Sequence, residues 1–104
     1  MFDLTAFQRD ILYIVAGLEA PNGLEIMSVL EDYYGESITH GRLYQNLDTL
    51  DEKGLLHKES VDGRTNAYSL SPRGRREISD RREWETDYLG EKPAEDSSPR
   101  TAEA

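Results

Sequence analysis

The apolar residues of this chain change period twice, and that change limits the folds open to it more than any other feature. Up to Gly54 they recur every three or four positions, from Leu55 to Leu70 they alternate, and after Ser71 the helical spacing returns. The first stripe is Leu4, Phe7, Ile11, Ile14, Val15 and Leu18, opened by the capping-box sequence Thr5-Ala6-Phe7-Gln8 and expected to stop at Ala20-Pro21-Asn22-Gly23. Asn22 caps a second helix whose stripe is Ile26, Met27, Leu30 and Tyr33 or Tyr34, ended by Gly35. Thr39 caps a third, with Leu43, Leu47 and Leu50 inward and Gly54 as its stop. Two alternating runs around Val61-Asp62-Gly63-Arg64 read as a hairpin, and Ser71-Pro72 opens a fourth helix that runs to about Tyr88 or Leu89.

The fold expected is therefore mainly α with a small β-hairpin: a winged helix-turn-helix carrying an extra C-terminal dimerisation helix. Residues 1–71 form the winged unit and 72–89 the dimerisation helix, while 90–104, with no apolar side chain larger than Ala, read as a disordered acidic tail. A chain of 104 residues holds one core and no second domain.

Composition narrows the function classes. The absence of Cys excludes disulfides, thiolate metal sites and Cys nucleophiles, and His40 and His57 stand on separate elements without a carboxylate cluster at ligand spacing. No phosphate loop or nucleophile motif occurs, so the residues point away from an enzyme, with no cofactor and no metal. No apolar run reaches the length of a membrane span and Asp3 stands where a signal peptide needs positive charge, which predicts a cytoplasmic protein without a membrane partner.

The net charge of −9 argues against a nucleic-acid partner until its distribution is counted. Residues 1–54 carry −7 and 83–104 carry −5, whereas 55–82 carry +3. Nine of the 12 cations are Arg. Acidity with so little Lys resembles proteins of salt-loving archaea, where it acts as a solvation device.

The outward side of the third helix sharpens the reading. Thr39, His40, Gly41, Arg42, Tyr44, Gln45 and Asn46 almost all carry hydrogen-bonding side chains. Arg suits guanine edges and Asn or Gln adenine edges, while Tyr and Thr suit phosphates. At the hairpin tip Arg64 is placed for a minor groove, with Thr65 and Asn66 beside it for the backbone. Arg73, Arg75 and Arg76 open the fourth helix, where the dipole disfavours cations, and phosphate is their expected partner. Asp48, Asp51 and Glu52 follow on the third helix, and cations bound between these acids and nearby phosphates would flatten the salt dependence of binding.

Tyr33-Tyr34-Gly35, Gly41-Arg42-Leu43-Tyr44, Leu47, Leu50, Gly54-Leu55 and Tyr68-Ser69-Leu70-Ser71-Pro72-Arg73-Gly74 together resemble the PadR-like transcriptional regulators, particularly the short archaeal members, over about residues 4–82. The resemblance implies a homodimeric repressor or regulator whose recognition helix is residues 40–53 and whose Tyr44 touches the DNA backbone. Gln45 stands where the family often has proline, and nothing here corresponds to the large C-terminal helical domain of longer members.

Double-stranded DNA with a palindromic operator is thus the expected partner, read by two recognition helices about 34 Å apart in a homodimer. Phe7, Ile11, Trp84, Tyr88 and Leu89 are the residues expected to join the subunits, because Trp84 and Tyr88 lie one turn apart on a helix that outruns the winged core. The alternative from another class is a winged-helix module that binds protein instead of DNA, for which the acidity would be no obstacle.

Overall fold

The computed structural model describes residues 1–90, and the predicted acidic tail falls almost wholly outside them. The order is α1 (Ala6–Gly17), α2 (Gly23–Tyr34), α3 (His40–Glu52), β1 (Leu56–Asp62), β2 (Thr65–Leu70) and α4 (Pro72–Leu89). Among the described residues all four helices start where short polar side chains can satisfy their first N–H groups. Thr5 and Asn22 form full capping boxes with Gln8 and Glu25, Thr39 accepts from Arg42 N–H, and Ser71 accepts from Gly74 N–H. Gly35 ends α2 at φ 73°. Among the described residues no helix is long and apolar enough to cross a membrane.

The end of α1 departs from expectation. The helix stops at Gly17, well before Pro21, and Ala20 takes φ 44°. The cause lies far along the chain: the Pro21 carbonyl accepts from Tyr68 N–H at 2.9 Å, and Asn22 bridges Ala67. The chain must leave the helix early to run beside β2, and a residue preceding proline is in any case disfavoured in helical geometry. The start of α2 is thereby tied to the hairpin.

β1 and β2 pair antiparallel from Leu56↔Leu70 to Asp62↔Thr65, with a bulge between Ser60 and Asp62. At the tip the Asp62 carboxylate accepts from the N–H groups of Arg64 and Thr65, and these bonds hold its pKa below the ordinary value. The core is one cluster in which Phe7, Ile11, Leu12 and Val15 of α1 meet Ile26 and Leu30 of α2, Leu43, Leu47 and Leu50 of α3, and Tyr68 of β2. Ile11 is fully buried and Phe7 is 6% exposed within a single chain, so both belong to this core and neither has surface to give a partner. This corrects their assignment to the dimer interface. Amphipathic spacing marks a buried face without saying what buries it.

Tyr34, not Tyr33, continues the inner face of α2: its hydroxyl donates to Asp10 Oδ2 at 2.6 Å, whereas Tyr33 is exposed. Burial, reinforced by that bond, pushes the Tyr34 phenol up to about 12. α4 docks through Ser71, whose hydroxyl donates to the Gly54 carbonyl and whose N–H donates to the Leu55 carbonyl. Gly74 lies directly against that same Leu55 carbonyl, leaving no room for a Cβ. Gly74→Ala should therefore lower stability by about 1–3 kcal/mol through overpacking, read as a lower urea midpoint at unchanged slope.

Candidate nucleic-acid interface

The site grows from three local structures: the first turns of α3, the tip of the hairpin and the N-terminus of α2. Leu43, Leu47 and Leu50 turn inward, which leaves the N-cap Thr39 and His40, Gly41 and Gln45 exposed around the first two turns of α3. Tyr44 is half-buried beside them. Its ring crosses the start of α2 so closely that a Cβ on Gly23 would overlap the hydroxyl, and the His40 ring lies 6.2 Å away.

That placement opens a cleft of about 220 Å³ lined by Asn22, Gly23, Leu24, Tyr44, Arg64, Thr65, Asn66 and Tyr68. The cleft gathers Tyr44 of the third helix with Arg64, Thr65 and Asn66 of the hairpin, residues that the sequence singled out on separate elements. Among the described residues none that lines it is acidic, although the Glu25 and Asp62 carboxylates accept from the N–H groups of Asn22, Arg64 and Thr65 at its edge. The start of α2 beside it is already capped by Asn22 and Glu25, so Arg64, the cation of the lining, is what the opening offers an anion.

Other residues expected at the interface are engaged elsewhere. Asn46 is half-buried; its Oδ1 accepts from Gln8 Nε2 at 2.9 Å and its Nδ2 donates to the Arg42 carbonyl at 2.7 Å. Arg42 is exposed, but its guanidinium lies 4.0 Å over the Phe7 ring, a cation–π contact toward α1. Arg73 Nη1 donates to the Lys53 carbonyl at 3.2 Å, satisfying the C-terminal end of α3. That accounts for a cation in the first turn of α4 without a phosphate. Arg75 lines a separate groove with Val15, Leu18 and Glu19, and Arg76 is exposed. The three arginines thus do not gather in the Tyr44–Arg64 cleft.

The acids of α3 are also partly spoken for, since Asp48 pairs with Lys58 of β1 at 3.5 Å. Among the described residues no three His, Asp or Glu side chains are grouped to hold a metal ion. Sequence reasoning did not find Gln8 or Gly23. The Thr5–Gln8 capping box marked one end of Gln8, but its other end depends on a residue 38 positions away.

At the far end of the molecule Trp84, Tyr88 and Leu89 are exposed, with the two rings 5.1 Å apart. The Arg81 guanidinium lies 4.4 Å over Trp84.

Residues 11–80 match the family described as Transcriptional regulator PadR-like. Among solved structures the chain is similar to RosR of H. salinarum, with 47% identity, coverage of 88% of this chain and 82% of that one, and a TM-score of 0.80. A complex of the same protein, hsRosR-S1, gives 47% identity, coverage of 88% and 80%, and a TM-score of 0.82. Bacillus subtilis PadR, solved in complex with operator DNA, is 22% identical with a TM-score of 0.62; the match covers 96% of this chain and 54% of that one, a likeness of fold. No curated protein matches the chain. With the family matched over residues 11–80 and a relative 47% identical over 88% of the chain, the chain belongs to the PadR-like family of transcriptional regulators.

Proposed function

We propose that this chain regulates transcription by binding a palindromic DNA operator as a homodimer, most simply as a repressor, with α3 in the major groove and the β1–β2 hairpin as the wing. The observation that carries this reading is the cleft in a chain of net charge −9 where Tyr44, Arg64, Thr65 and Asn66 converge from α3 and the hairpin. An acidic protein that contacts a polyanion needs such a place. The fold is also one that B. subtilis PadR uses in its complex with operator DNA.

Roles divide by position. Thr39, His40, Gly41 and Gln45, exposed at the start of α3, face the base edges, and Gln45 suits adenine. Tyr44, Arg64, Thr65 and Asn66 hold phosphates and set the register. Trp84, Tyr88 and Leu89 close the subunit interface. The acidic, Lys-poor surface fits a protein working at high salt, as its H. salinarum relative suggests. Asp51, Glu52 and the Lys58-paired Asp48 then favour cations shared with nearby phosphates, a site that only the DNA would complete.

Comparison of two variants tests the division. Tyr44→Phe should weaken binding of every duplex alike, by about 5- to 10-fold, because it removes a hydrogen bond to a group common to all sequences. Gln45→Ala should instead relax preference at one base pair by about 1–3 kcal/mol. Anisotropy titrations at molar KCl with a duplex from upstream of the protein's own gene, and with single-base variants of it, would separate the two. Equal behaviour of the variants, or no binding by the wild type, would count against the reading.

A further inference from the structure

Among the described residues Gln8 is the one buried amide, at 9% exposure on the rim of the core. A buried amide is costly unless its hydrogen bonds are made. Here they run in a line. Thr5 N–H donates to Gln8 Oε1 at 3.1 Å, Gln8 Nε2 donates to Asn46 Oδ1 at 2.9 Å, and Asn46 Nδ2 donates to the Arg42 carbonyl at 2.7 Å. The backbone groups at the two ends leave no freedom, since an N–H can only donate and a carbonyl only accept. Both amides between them are therefore locked in one orientation.

The line joins the first turn of α1 to the first two turns of α3. Beside it the Arg42 guanidinium rests on Phe7, the residue next to Gln8. Arg42 and Asn46 are one turn apart, so both connections reach the same side of α3, while Gln45 points about 100° round the helix from Asn46. The leucines beneath α3 supply attraction but little direction, because apolar burial is not directional. The amide line is directional.

We infer that Gln8 is a positioning residue for sequence readout: through Asn46 it sets the rotation at which α3 presents Gln45 and its exposed neighbours to the base edges. The inference rests on the DNA-binding reading and deepens it. It also gives Asn46 a task inside the protein in place of a base contact.

The test uses the full chain, the duplex that the wild type enriches from a random library, and an unenriched duplex of equal length. Gln8→Met keeps the volume and removes both amide bonds. It should lower affinity for the enriched duplex about 10-fold while leaving the other within about 2-fold, and it should broaden the bases selected. Asn46→Ala breaks the same line at its half-exposed end and should do the same, with a thermal melt giving the folded fraction of each variant. Gln8→Met with Asn46→Ala should lose no more than the worse single variant, since both break one line. A purely structural role predicts equal losses on both duplexes, in proportion to the unfolded fraction. That outcome, additive losses, or unchanged selection by a folded variant would overturn the inference. A wild type that enriches no duplex would overturn the DNA-binding reading itself.

Discussion

Replacing Trp84 and Tyr88 together by Ala should leave a folded monomer whose affinity for the operator is lower by about 10²- to 10⁴-fold. The fold should survive because these rings lie at 50% and 73% exposure, beyond the part of α4 that packs on the core through Gly74 and Ile78. The affinity should fall because two linked half-site contacts bind far more tightly than either alone, by about that factor. Sedimentation at several concentrations reads the first effect and anisotropy the second. A dimer that persists in the double variant would place the subunit interface elsewhere.

Ile11→Ala should behave in the opposite way. Its side chain is fully enclosed by the core of its own chain, so truncation should cost about 2–5 kcal/mol of folding stability and lower Tm by upwards of about 10 °C. The association constant of the folded fraction should not change. Thermal melts together with sedimentation below the transition check both statements. Loss of association without loss of stability would return Ile11 to the interface.

The contrast between these variants shows where the sequence was readable. Thr5, Asn22, Thr39 and Ser71 announced all four helix starts because capping is chemistry within three residues. The winged order followed from the change of period, and the inward leucines of α3 followed from their spacing. Wherever the outcome depended on a distant backbone atom, local pattern was silent. α1 ends early because Tyr68 recruits the Pro21 carbonyl, and Arg73 turns to the Lys53 carbonyl rather than outward. Asn46 is held by Gln8 from another helix. Phe7 and Ile11 sat on a stripe that fits an internal core and a subunit interface equally well, and only packing separates the two.

The candidate site shows the same division. The residue types of Tyr44, Arg64, Thr65 and Asn66 pointed to phosphate. Their convergence did not follow from spacing, since it depends on Gly23 letting the Tyr44 ring cross the start of α2. A glycine immediately after the Asn22 cap was the one trace of that approach visible beforehand.

Selection of binding sites from a random duplex library at molar KCl decides whether the protein reads DNA sequence as a symmetric dimer. The expected product is an enriched inverted repeat with half-sites one helical turn apart, about 10 to 10.5 base pairs centre to centre, or a multiple of it, as two symmetry-related α3 helices require. Enrichment of a single unrepeated motif would contradict the homodimer, and no enrichment at any salt concentration would contradict sequence-specific DNA binding.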